Sequence, residues 1–186
     1  PVTEKPSDFE SDIHRAAEKG KLTSIQYLIE ELVRTNVEAK DKNGYTPLHY
    51  ASGNGHIDVV KYLIEQCHAN VEAKEEDGMT PLHFSSHRGH IEVVKYLVEM
   101  GHANVEVENS DGTPLHFATD EGHIEIVSYL IEVGHANVEA KGKDGRTPLH
   151  LGSTKGYIKI VEYLVEQCHA NIEAKDDDGW TPLHTA

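Results

Sequence analysis

The tetrapeptide Thr-Pro-Leu-His begins at Thr46, Thr80, Thr113, Thr147 and Thr181, at successive offsets of 34, 33, 34 and 34 residues. A second block, His-Ala-Asn, marches in step from His68, His102, His135 and His169, at offsets of 34, 33 and 34. Two motifs in one register exclude coincidence, and a period of about 20 to 50 residues is the signature of stacked supersecondary units. The single short step has a visible cause. Gly112 is followed directly by Thr113, whereas Tyr45, Met79, Arg146 or Trp180 separates glycine from threonine in the other units.

Each part of the unit has a physical reading. Asn43-Gly44, and Asp-Gly at 77/78, 111/112, 144/145 and 178/179, are pairs that tolerate positive φ and so predict tight hairpin turns. Thr46 is placed to cap the next helix, Pro47 suits the first helical position, where its missing N–H costs nothing, and Leu48 begins the apolar face. Gly55 can take the left-handed conformation that ends this short helix. Ile57, Val60, Leu63 and Ile64 then recur at helical spacing, with Asp58, Lys61 and Glu65 on other faces, which predicts a second helix with one buried stripe. The following Asn70-Val71-Glu72-Ala73-Lys74 alternates polar and apolar residues, as a short extended arm does. One unit therefore reads turn, helix, helix, arm. It is too small to bury its own stripes, so it must pack on the units either side.

These motifs resemble the ankyrin repeat family over nearly the whole chain, from about Asp12 to Ala186. The resemblance implies an all-α repeat solenoid of helix-turn-helix units joined by β-hairpin turns. The array occupies 1–186, with units at about 8–41, 42–75, 76–109, 110–142 and 143–176 and a partial unit at 177–186. Unit one reads Asp12-Ile13-His14-Arg15-Ala16-Ala17 in place of the repeat motif, and Lys19, Lys21, Thr23 and Gln26 give it the polarity of an outward cap. The chain opens with Pro1 rather than Met and stops part-way into the first helix of unit six. The expectation is a parent protein that continues with more repeats or another domain.

Within the family, such arrays are usually protein-interaction scaffolds that bind through hairpin tips and the concave surface of the first helices. Carried over by position, the tip contacts are Asn43 and Tyr45, Asp77 and Met79, Asp111, Asp144 and Arg146, and Asp178 and Trp180. The first-helix contacts are His87, Arg88, Asp120 and Glu121. Trp180 and Tyr45 are the aromatic members of this surface, and aromatic residues on exposed turns are common interface anchors. The alternative is a target-recognition or regulatory array of a longer protein whose enzyme domain lies outside these residues.

Charge narrows the partner. Seventeen Lys and Arg against 32 Asp and Glu leave a net charge of -15. Such a surface repels nucleic-acid backbones and anionic lipid, so neither nucleic acid nor membrane is an expected partner. The acidic runs Glu75-Glu76-Asp77 and Asp176-Asp177-Asp178 favour a protein with a basic surface. No run approaches 18 apolar residues, and Glu4, Asp8, Glu10 and Asp12 stand where a signal peptide needs an apolar core. Cys67 and Cys168 occupy the same repeat position three units apart, which predicts a separation of roughly 25 to 30 Å and reduced thiols. An intracellular protein, cytoplasmic or nuclear, is expected. A monomer is expected too, with an uncapped C-terminal end through which copies could self-associate.

Chemistry beyond binding finds little to rest on. Of the 14 histidines, His87 alone stands outside a repeat position. His83 and His87 have the i, i+4 spacing of a zinc pair, but His83 belongs to the repeat, so no metal is assigned. Gly152-Ser153-Thr154-Lys155-Gly156 lacks the spacing of a phosphate loop, and no serine elbow or distinctive carboxylate pair occurs. The chain is read as having no cofactor and no catalytic residues.

Overall fold

The computed structural model describes residues 6–30 and 36–186. Residues 31–35 of the first expected unit lie outside this part, as does Glu4. The described residues contain eleven α-helices and no strand. Helices α1 (Pro6–Glu18) and α2 (Leu22–Glu30) form the first pair, α3 (Pro47–Gly53) and α4 (Ile57–Glu65) the second, and α5 (Pro81–Arg88) and α6 (Ile91–Glu99) the third. The next pairs are α7 (Pro114–Asp120) with α8 (Ile124–Glu132) and α9 (Pro148–Lys155) with α10 (Ile158–Glu162). Helix α10 runs on into a π turn over Tyr163–Gln167, and α11 (Pro182–Thr185) is a single turn.

The first helix of each pair is short because its stop follows its start closely. Pro47 sets the first turn, and by Gly55 the backbone has turned left-handed (φ 72°). The second helix buries part of the stripe its spacing predicts. In α4, Ile57 and Ile64 are half-buried and Asp58, Lys61 and Glu65 exposed, while Val59 joins Val60 and Leu63 in the core. Each such aliphatic side chain contributes about 1.5 to 3 kcal/mol of burial. No pair could enclose these faces alone.

The chain forms two compact units. One holds the described residues up to Ser85 together with Glu92–Ala103, the other Ser86–Ile91 together with Asn104–Ala186. In the first unit α1 packs on both α2 and α3, α3 on α4, and α2 on α4. In the second α7 packs on α8 and α9, α8 on α10, and α9 on α10 and α11. Within each unit these helices meet both a partner of their own pair and a counterpart one repeat along, the nearest-neighbour packing of a repeat protein.

Two local expectations are modified. The turns are tight reversals, closed by short-range backbone bonds rather than by paired strands. Asp41 N–H donates to the Tyr45 carbonyl (3.0 Å) and Asp176 N–H to that of Trp180 (2.9 Å). The arms are not extended. Asn70 Oδ1 accepts the Glu72 N–H (3.0 Å) and the Asn70 carbonyl accepts the Ala73 N–H (3.2 Å), so the asparagine of His-Ala-Asn bends the chain into an Asx turn. Alternation of small and polar residues reflected buried alanines, Ala69 and Ala73, on the inner side of that turn.

The glutamates of the arms have a task that the sequence did not disclose. Glu38 accepts the Asn70 N–H (2.8 Å), and in the second unit Glu106 accepts from Asn137 (2.8 Å) and Glu139 from Asn171 (2.7 Å). These are charge-assisted bonds between consecutive repeats, and they fix the register in which one arm stacks on the next.

Candidate interaction surface

The repeat motif positions the tips. Thr46 N–H donates to His49 Nδ1 (3.1 Å), and Thr46 Oγ1 lies 2.8 Å from the same nitrogen. Accepting at Nδ1 leaves the proton on Nε2, which donates across the repeat to the Met79 carbonyl (3.1 Å). His116 repeats the arrangement with the carbonyls of Ala140 (3.1 Å) and Arg146 (3.2 Å), and His150 with that of Trp180 (3.0 Å). Tyr45 (accepting from His14), Met79, Arg146 and Trp180, which follow the glycines of the full-length tips, are therefore pinned through their carbonyls, while their side chains are left to vary. Burial, opposed by the carbonyl bonds, pushes the His49 pKa down to about 4 and lowers that of His116, so both imidazoles are neutral at pH 7.

An acidic side chain at the base of the tip holds its loop. Asp41 Oδ1 accepts the N–H groups of Asn43 (3.0 Å) and Tyr45 (2.9 Å), and its Oδ2 accepts the Tyr50 hydroxyl (2.7 Å). Burial alone would raise the Asp41 pKa, but these three bonds outweigh it and hold the carboxyl below its usual value. Glu75 binds Asp77 and Met79 in the same way, and Asp176 binds Asp178 and Trp180. The acidic runs are thus divided: Glu75 and Asp176 are buried anchors, whereas Glu76, Asp77, Asp177 and Asp178 face solvent.

In the first unit, Asn43 and Asp77 are exposed and Met79 is half-buried. Tyr45 is half-buried, within a cluster of rings at 5.3 Å from Phe84, 5.5 Å from Tyr50 and 6.0 Å from His49. In the second unit, Asp111, Asp144, Asp178, Arg88 and Glu121 are exposed, and Trp180 keeps 54% of its surface in solvent. The structure draws several of the first-helix and tip residues together there. His87 Nδ1 stands 3.6 Å from Glu121 Oε1, and its ring meets that of Phe117 edge-on at 5.9 Å. Lys155 donates to Asp120 (3.0 Å), a bond that raises the lysine pKa. Lys143 lies 3.5 Å from Asp111, and Arg146 Nε 3.8 Å from the buried Asp176. Positive and negative side chains of neighbouring repeats pair along this face, so its surface is less acidic than the net charge suggests.

Among the described residues no group of three or more His, Cys, Asp or Glu side chains could hold a metal ion, and no helix is long and apolar enough to cross a membrane. Cys67 and Cys168 are not joined in a disulfide, and burial raises the Cys168 pKa.

Two features of this surface escaped the sequence reading. A cleft of about 240 Å³ opens in the second unit between His87, Asp111, His116, Phe117, Asp120, Lys143 and Leu151. The one-residue-short step at Gly112-Thr113 was its signal. An apolar groove of about 450 Å³ lies among Leu149, Ile158, Val161, Ile172, Pro182 and Leu183, with Ile158 70% and Leu183 83% exposed.

Comparison with known proteins agrees with the repeat geometry. The pattern described as ankyrin repeats (3 copies) matches residues 13–109, 65–141 and 133–186. Ankyrin repeat domain-containing protein 49 of Bos taurus is 53% identical over 49 residues, which is 26% of this chain and 20% of that protein. Ankyrin repeat domain-containing protein 39 of Homo sapiens is 43% identical over 58 residues, 31% of each chain. The human transient receptor potential cation channel subfamily A member 1 is 35% identical over 66 residues, covering 35% of this chain and 6% of the channel. The chain spans about a fifth to a third of the ankyrin repeat domain-containing relatives it matches. Ankyrin repeats generally mediate protein–protein interaction and are typically non-catalytic. With repeat spacing, helix pairing and family pattern in agreement from residue 13 to residue 186, the chain belongs to the ankyrin repeat family.

Proposed function

We propose that the chain is a protein-interaction scaffold whose partner meets the tips and the first-helix faces. The observation that carries this reading is the division of labour in each tip. Buried Thr and His side chains, joined in most tips by an acidic one, fix the backbone, and the residue that follows the glycine changes from repeat to repeat, as Tyr45, Met79, Arg146 and Trp180, beside an acidic or amide side chain at Asn43, Asp77, Asp144 and Asp178. A rigid frame with variable projections is what specific recognition requires, because little conformational entropy is lost when a partner binds. Trp180 is the aromatic anchor of the second unit, and Tyr45 acts mainly by stiffening its tip. The exposed Asp77, Asp144, Asp177 and Asp178 favour a basic partner surface.

A second reading, a recognition or regulatory array within a longer multidomain protein, draws support from the small share of each relative that aligns with this chain. The two readings share one surface. Affinity capture from lysate with the chain and with a Trp180→Ala, Asp144→Lys, Asp177→Lys variant tests it, since all three side chains are exposed and folding should persist. A protein retained by the parent and lost from the variant supports the proposal. Equal retention by a folded variant moves the site to another face.

A further inference from the structure

The short tip leaves a socket whose natural filling is visible elsewhere in the same molecule. In the first unit, the side chain between Gly44 and Thr46 is Tyr45, and its ring packs against His49, Tyr50 and Phe84. The equivalents in the second unit, two repeats later, are His116, Phe117 and Leu151. Nothing separates Gly112 from Thr113, so no side chain of the chain corresponds to Tyr45 there. His116, Phe117 and Leu151 instead line the cleft of about 240 Å³, and Leu151 in place of a phenylalanine widens it. A cavity of about 150 Å³ already admits a benzene ring.

We infer that this cleft is an anchor pocket for an aromatic side chain of a partner polypeptide, seated as Tyr45 is seated in its own unit and carrying a basic residue beside it. The inference rests on the scaffold reading and specifies what that surface grips. The aromatic preference follows from the ring-lined socket, where edge-on and offset ring contacts add to burial. The basic neighbour follows from the rim. Asp111 and Asp120 are paired with Lys143 (3.5 Å) and Lys155 (3.0 Å), while Glu121, 3.6 Å from the His87 ring of the lining, adds a further negative charge at the rim. A lysine or arginine next to the ring meets that surplus at the partly desolvated edge of the cleft.

The test uses four capped pentapeptides titrated into the full chain labelled at its leucine methyl groups and followed by NMR. Three are Gly-Lys-X-Lys-Gly with X as tyrosine, leucine or alanine, and the fourth is Gly-Glu-Tyr-Glu-Gly. The Lys-flanked tyrosine peptide is expected to shift the Leu151 methyls saturably, at least tenfold more tightly than the alanine peptide and more tightly than the other two. Insertion of tyrosine between Gly112 and Thr113 should abolish the response, and Leu151→Trp, which fills the cleft without changing the tip and is read by the shifts of the peptide's own tyrosine ring, should abolish binding too if the insertion impairs folding. Unshifted Leu151 methyls, an equal response to the alanine peptide, or binding that survives in a folded filled variant would each overturn the assignment. If partner capture depends on Trp180 and Asp177 while the cleft ignores every peptide, the anchor fails and the scaffold reading stands. If the cleft answers as expected while capture is indifferent to the tip variant, the anchor stands and the tip reading fails.

Discussion

At the scale of single residues, the least expected finding is that His68, His102, His135 and His169 all sit in the left-handed region, with φ between 54° and 57°. Each follows a second helix, at the position where glycine usually ends one, and each is exposed. A residue with a Cβ is strained there by about 1 to 2 kcal/mol, against an entropic cost of about 0.5 to 1 kcal/mol for glycine. His68→Gly and His135→Gly should therefore each stabilise by roughly 0.5 kcal/mol in urea melts, and His68→Val should destabilise. A lower midpoint for both glycine variants would contradict this. The buried histidines make a different prediction. His49 titrates near 4 in the fold against its ordinary 6.5, so the unfolded state binds the extra proton first. The stability that the neutral ring contributes is complete above pH 6.5 and is lost as pH falls to 4, about 3 kcal/mol for this residue by linkage. His116 shifts in the same direction and adds to the loss. The depressed Asp41 acts below this window, because its contribution is lost only as pH falls through a value under 3.8. Thermal melts between pH 7.5 and 4 should show Tm falling steadily, and His49→Asn should flatten the profile.

At the scale of elements, the short tip and the residue that follows it one repeat later form a matched pair. After full-length tips, the base of the next one carries a side-chain oxygen that accepts from the tip, that of Glu75, Asn109 or Asp176, but after the short tip it carries Gly142. A Cβ on Gly142 would come within 2.6 Å of the Asp111 carbonyl oxygen and 2.9 Å of the His116 ring. Deleting one residue has lowered the short tip onto its neighbour, which has lost its side chain in compensation. Without an anchoring side chain, the tip at Lys143–Gly145 winds as a 3-10 turn with Asp144 at φ 57°. Gly142→Asp alone should destabilise by roughly 2 to 3 kcal/mol, and combining it with the tyrosine insertion after Gly112 should recover most of that loss. Additive penalties in the double variant would refute the coupling. Such pairs mark the limit of reading this chain as a string. Helix pairs, their caps and their buried stripes were legible because they depend on residues within one unit, such as Pro47, Gly55, Val60 and Leu63. The 33-residue step was visible too, but the cleft it opens is made by His87, Leu151 and Lys143 from the repeats either side. Tyr45 was legible as a tip aromatic, and its inward packing was not, because the ring that receives it, Phe84, belongs to the next repeat.

At the scale of the whole molecule, the account assigns binding to side chains projecting from a frame held by backbone-directed bonds. The apolar groove around Ile158, Ile172 and Leu183 adds an expectation about association: monomer at low concentration, with mass rising at high concentration. In sedimentation velocity, Ile158→Lys should remove that rise, and an unchanged rise would locate self-association elsewhere. The partner surface itself is tested most directly by hydrogen–deuterium exchange on the chain alone and in complex with the protein it captures. The account predicts that binding slows exchange at the tips around Asp111, Asp144 and Asp178 and along α7 and α9, with the second helices α8 and α10 unchanged. Protection confined to α8, α10 and the arms, with the tips exchanging as in the unbound chain, would contradict it.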